Sequence, residues 1–544
     1  MRSGKPLSKI RICLIQSLYI FFIMEKEDGM KMTNTMRKLL KQRFCLILAL
    51  LLIVFTVSVA AEEKNEAETW LALARDAHEQ EDYETSFRYY EQAAKAGSAE
   101  GQYMTAISYY YGMGTEQSYE KAAEYMSMAA DQGDANAWTM LAMLYVHGIG
   151  VEQSYEKALA YFKLSAAQND PVAQYNLGWM YMNGDGVEPS REKALEYWRL
   201  SADQKNPDAM MALAGVHLDR QNQEYDIKKG LEYLQSAAEL GHPDAQADLG
   251  ARYYYGFDVE QDDEKALKYL RPAADQGNAN AQAILGEMYF YGSGVDKSME
   301  TSLEYTRQAA DQGNARALYA LGWHYEQGVG VQQDLGKALA YYQRAADLGD
   351  TKAQTYLGTL YENGDGVEQS YEKAAELYQR AADQGDAEAQ TYLGILYEYG
   401  DGVEQSYEKA AELYQRAADQ GDALAQARLG LLYEFGDGVD LSYEKALEYF
   451  RMSANQGNSI GQWGMGQMYQ FGLGVEPSYQ KAAEYYQLSA DQNDPDGLEC
   501  LGYLYLEGLG VEQSRDRAME LYRRAAALGS EEAQRQLANL EAGK

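Results

Sequence analysis

The sequence predicts an all-α solenoid assembled from tandem helix–loop–helix repeats, on three observations. The chain matches itself every 36 residues, without insertion or deletion, through twelve repeats from Gly101 to Glu532, and a period of that length marks stacked supersecondary modules. Within each repeat, apolar and small residues recur three and four apart, the spacing of one buried helical face. The eighteenth residue of every repeat is Ser or Asp, both strong caps for a helix N-terminus. Composition agrees, because 48 Tyr and 50 Gly against 8 Pro and 5 His form a bias that persists from residue 100 to the end.

In chain order, the first element is a targeting segment. Arg37, Lys38, Lys41 and Arg43 precede an apolar run that begins at Phe44, and small residues Ser58 and Ala60 close it. This is the pattern of a secretory signal peptide over residues 36–61, cut after Ala60 or Ala61. Left uncut, the run Phe44 to Ala61 borders on the length of a membrane anchor. Residues 1–35 hold only a shorter apolar stretch, Ile12 to Met24, and read as an upstream extension ahead of the true start. Cys13 and Cys45 fall in the segment expected to be removed, which leaves Cys500 with no cysteine to pair with. A bacterial periplasmic or secreted protein is the simplest reading. The formal net charge of -35 argues against nucleic acid and anionic lipid as partners. With 46% hydrophobic residues the chain still has the material for a large core.

Each repeat then reads as helix, loop, helix. The first helix carries A-x3-L-G-x2-Y, as in Ala353, Leu357, Gly358 and Tyr361. A Gly-x-Gly-Val loop ends it, with the first glycine in eleven repeats and the second in ten, as suits backbone that needs positive φ. The second helix starts at the caps Ser118, Ser154, Ser190, Asp226, Asp262, Ser298, Asp334, Ser370, Ser406, Ser442, Ser478 and Ser514. It ends at a small pair such as Ala381 and Ala382, followed by Gly or Asn as C-terminal cap in all repeats but the one holding Lys205. Ala533 to Ala542 predicts a closing helix within a 533–544 tail. Two repeats depart from the pattern: Arg220 and Asn222 replace both loop glycines beside His217, and in the next repeat Asp258 replaces the second glycine while Pro272 interrupts the second helix. A change of superhelical curvature is expected around 217–275.

The spacing A-x3-L-G-x2-Y-x2-G-x-G-V-x6-K-A-x6-A-A-x2-G, twelve times in register, resembles the Sel-1-like repeat, a relative of the tetratricopeptide repeat. Residues 67–100 resemble a 34-residue tetratricopeptide unit, with Trp70, Leu73, Ala74, Ser86, Tyr90 and Ala93 at its signature positions. The resemblance implies a right-handed α-solenoid, superhelical with a concave groove lined by the first helices, and a family of scaffolds and adaptors. Cysteine-rich relatives are associated with β-lactam binding or hydrolysis, but they carry a cysteine pair per repeat that this chain lacks. No catalytic residue carries over.

Residue chemistry points the same way. His78, His147, His217, His242 and His324 fall in different repeats with no companion motif, so neither a metal nor a cofactor is expected. His324 stands where Leu or Met is usual and reads as a packed histidine. Cys500 has no basic neighbour and reads as a structural thiol. The Gly-Asp-Gly-Val loops at Asp185, Asp365, Asp401 and Asp437 offer too few oxygens for calcium. The protein is read as non-enzymatic.

By analogy with tetratricopeptide repeats, the third, seventh, tenth and eleventh residues of each repeat should face a partner. Tyr175, Trp179, Tyr254, Phe290, Tyr319, Trp323 and Trp463 occupy these places, interleaved with acids such as Glu326. Aromatic anchors in a polar surround are the usual energetic centre of an interface. The expected partner is a protein or peptide with a basic or amphipathic segment; a cell-envelope glycan stacking on the rings is the alternative.

Overall fold

A computed structural model describes residues 34–542 of the chain. Among these residues every regular element is an α-helix. The expected upstream extension lies almost wholly outside the described residues, as do most side chains of the expected signal segment. The backbone of that segment belongs to a helix, Asn34–Glu79, that continues into the first repeat. Among the described residues no helix is long and apolar enough to cross a membrane.

Beyond it, helices of 13 residues alternate, as in Thr351–Asn363 and Tyr371–Asp383. The chain divides into two compact units between Gln246 and Ala247. The division lies within residues 217–275.

Capping explains where the second helices begin. All twelve Ser and Asp side chains at the eighteenth residue accept from an amide of the first turn; Ser406, for example, takes the Lys409 amide at 3.3 Å. The first helices have caps as well. Asp350 and Asp386 accept from the amides of Ala353 and Ala389 at 2.8 Å. Replacing Ser406 by Ala should remove about 1 kcal/mol of local stability, read as faster amide exchange confined to the helix Tyr407–Asp419.

Loop glycines meet the conformational demand made of them, with Gly400 at φ +80° and Gly402 at +68°. Where glycine is missing the chain responds in two ways. Asp258 keeps the left-handed conformation at φ +60°, and Arg252 pairs with its carboxylate at 2.6 Å. In the repeat lacking both glycines, the first helix stops one residue early as Pro207–Leu218, and His217 Nδ1 donates to the Glu224 carbonyl at 2.6 Å to hold the turn. Lys205, the exception at the second-helix C-terminus, likewise adopts φ +64°. Pro272 sits in the last turn of Asp263–Asp275, which runs unbroken around it.

The core follows from one contact repeated along the chain. The twenty-sixth residue of a repeat is usually a large side chain, and Trp198, Tyr342, Tyr378, Tyr414, Phe450, Tyr486 and Tyr522 are all buried there. Each lies over the glycine at the sixth place of its repeat: a Cβ on Gly358 would sit 2.6 Å from the Tyr378 ring, and one on Gly394 2.5 Å from Tyr414. The tyrosine excess has a second outlet. Tyr433 stacks on Tyr449 at 5.8 Å while Lys445 lies 4.6 Å over the Tyr433 ring, and equivalent stacks and cation–π contacts recur in other repeats.

Candidate functional site

The seventh residue of each repeat is never buried and the eleventh is mostly exposed, so these two positions define an outward first-helix face. Trp179, a seventh residue, is 41% exposed and meets the buried Trp198 edge-on at 5.1 Å. Trp198 Nε1 donates to the Tyr175 carbonyl at 3.1 Å, which anchors the pair. Tyr175 and Trp179 border an open depression of about 560 Å³ with Arg191, Asp208 and Met211.

Phe290, Tyr319 and Trp323 come together in the second compact unit. The Phe290 and Trp323 rings meet at 5.5 Å and 88°. With Tyr319 they surround a cavity of about 290 Å³ whose inner lining includes Ala283, Gly286, Thr306 and Ala320. Arg316 pairs with Glu287 at 3.1 Å on its rim.

The remaining expected residues do something else. Tyr254 is buried, packed in the cluster that holds Leu270 and Ile284. Glu326 is no free carboxylate, because the hydroxyls of Tyr342 and Tyr356 donate to it at 2.9 and 2.6 Å. Tyr378 and Tyr414 do the same to Glu362 and Glu398, at 2.7 and 2.6 Å. Glu326, Glu362 and Glu398 thus keep their charge but are held by tyrosines and are less free to turn toward a partner. Trp463 is half-buried and packs with Cys500 against the C-terminal core. Sequence reasoning passed over exposed rings at the eleventh position: Tyr399, Phe435 and Phe471, from consecutive repeats, are 56%, 61% and 62% exposed. Their signal was an aromatic column at a position already assigned to the open face.

The titratable groups are built for packing. His324 is buried, its Nδ1 donates to the Val329 carbonyl at 2.9 Å, and burial holds its imidazole below the usual range and therefore neutral. Burial pushes the Cys500 thiol up to about 11, away from the reactive thiolate. Among the described residues, no group of three or more His, Cys, Asp or Glu side chains is placed to hold a metal ion. The arrangement offers aromatic and apolar recognition.

Comparisons with known proteins agree with this architecture. The Sel1 repeat family model matches thirteen times: over 66–98, 99–134 and 137–170, in nine contiguous frames from 171 to 494, and over 501–530. The first match covers the segment that resembles a tetratricopeptide unit. Among solved structures, the chain is similar to c5321, a protective antigen of uropathogenic Escherichia coli strains with an SLR fold, at 30% identity over 84% of this chain and 97% of that one, with a TM-score of 0.56. It is also similar to a Sel1 repeat protein from Oxalobacter formigenes, at 30% identity over 45% of this chain and 96% of that one, with a TM-score of 0.42. No curated protein matches the chain.

Proposed function

We propose, starting from the fact that the chain belongs to the Sel1 repeat family, that it is an exported, non-enzymatic scaffold that binds another polypeptide through its first-helix face. Solenoids of this family are commonly protein-interaction scaffolds. The observation that carries the reading is the exposed rings on that face, Trp179, Tyr291, Tyr399, Phe435 and Phe471. Large rings left in water at the seventh and eleventh positions of stacked repeats mark an interaction surface. The negative net charge favours a partner with basic or amphipathic segments, and it acts through long-range attraction more than through the paired carboxylates of the face. Export rests on the segment 36–61, and N-terminal sequencing of the purified protein should begin at Ala61 or Glu62.

A crosslinking pull-down from the native envelope tests the surface. A Trp179→Ala, Trp323→Ala double variant with unchanged helicity should lose a protein partner that the parent retains. Recovery of the same partner by both would remove these tryptophans from the site. Retention on purified peptidoglycan, with no protein partner, would favour the glycan alternative.

A further inference from the structure

One repeat lacks the large side chain that the others bury. Where Tyr342, Tyr378, Tyr414, Phe450, Tyr486 and Tyr522 lie over a glycine, the repeat 281–316 carries Thr306. Its glycine is nevertheless present, and a Cβ on Gly286 would sit 2.5 Å from the Thr306 hydroxyl. The neighbours are small too. Ala283 lies one helical turn before Gly286, and Ala320 stands where the next two repeats have Tyr356 and Tyr392. The cavity of about 290 Å³ described above is bounded by these residues.

The buried residues that line this cavity are apolar apart from Ser302, Thr306 and His324, whose Nδ1 is taken up by the Val329 carbonyl. Thr306 Oγ1 donates to the Ser302 carbonyl and Ser302 Oγ to the Gly286 carbonyl, both at 2.7 Å, so both hydroxyls are already engaged. Phe290, Tyr319 and Trp323 form aromatic walls. Phe290 occupies the tenth position, where Glu326, Glu362 and Glu398 receive tyrosine hydroxyls in later repeats. The repeat therefore lacks both the ring and the acceptor that a phenol would need. A dry apolar cavity of about 150 Å³ suffices for benzene, so this one has room for a phenyl ring and the methylene that carries it.

We propose that the cavity receives a phenylalanine side chain of a partner polypeptide, which completes the repeat from outside as Phe450 completes its own from within. The inference rests on the first-helix face being a protein-binding surface, and it names the residue type that the surface selects. Four charged residues in the lining, Glu287 and Asp350 against Arg316 and Lys352, balance to near neutrality, which suits a peptide backbone flanking the inserted ring.

The test uses the intact protein against random peptide display libraries that carry a fixed central Phe, Tyr or Ala. The Phe library should be retained about tenfold or more over the Ala library, as expected for a buried aromatic anchor, and clearly over the Tyr library. Thr306→Phe, which supplies the ring from within, should abolish that preference while its thermal midpoint stays equal or rises. Ala320→Tyr, which copies the next two repeats, provides a second way to fill the space should the first variant fold poorly. Equal retention of the three libraries, or an undiminished Phe preference in a folded, filled variant, would overturn the proposal. Peptides that depend on Trp179 but are indifferent to Thr306→Phe would sink this inference and leave the wider surface standing. Absence of any retained peptide would count against both.

Discussion

Gly402→Ala should destabilise its part of the array by about 2–5 kcal/mol, whereas Gly313→Ala should cost only the smaller part of that. Both glycines have positive φ, +68° and +80°, and an L-residue in the left-handed region costs about 1–2 kcal/mol. Their surroundings differ. A Cβ on Gly313 meets nothing within 4 Å, while one on Gly402 would overlap the backbone of Tyr371 and Glu372 in the preceding repeat. That backbone is the first turn of a helix capped by Ser370, so it cannot retreat without giving up the cap. Overpacking of this kind adds about 1–3 kcal/mol. Each repeat contacts mainly its neighbours, so the loss should appear as lowered amide protection in the helices Tyr371–Asp383 and Ala387–Tyr399, with distant repeats unchanged. Equal losses for the two variants would show that the close approach between repeats contributes nothing.

The second large effect is a dependence on pH. Glu434 is buried, its Oε2 has no hydrogen-bond partner, and burial pushes its carboxyl up to about 7. The reason is visible in the neighbouring repeat, where Tyr414 donates to Glu398. The residue corresponding to Tyr414 is Phe450, which has no hydroxyl to give. Below pH 4.5 this carboxyl is protonated in both folded and unfolded chains. Between pH 4.5 and 7 the unfolded chain releases its proton first, so stability falls as pH rises. Above 7 the loss is complete, and the interval between 4.5 and about 7 corresponds to about 3 kcal/mol. Glu434→Gln should flatten this slope in the helix Ala423–Phe435, and Phe450→Tyr should reduce it by supplying the missing donor. Amide exchange measured at pH 5 and pH 8 reads both. A parent protein whose local protection is the same at the two pH values would contradict the assignment.

The helix boundaries were legible because capping is local: a Ser or Asp side chain reaches an amide three residues on, whatever the rest of the chain does. Exposure was less legible because adjacent repeats decide it. Tyr254 and Phe290 hold the same register position, yet Tyr254 lies in a core closed by Leu270, while Phe290 forms the wall of a cavity because Thr306 stands where Leu270 would be. Glu326 looked like a ligand for a basic partner when read singly. The side chains that show the fold uses it, Tyr342 and Tyr356, lie sixteen and thirty residues later. The clue to the cavity was a Thr in a column of large residues, and it required reading the twelve repeats down the column as well as along the chain.

The contact of Gly402 with Tyr371 recurs as Gly438 with Tyr407, so residues 353–388 and 389–424 offer the same backbone to the repeat that follows each. Residues 353–388 and 389–424 are almost identical. Loss or gain of one copy of this pair would leave the flanking seams with the partners they already have. Copy number within this pair can therefore change without a new kind of interface having to form between repeats.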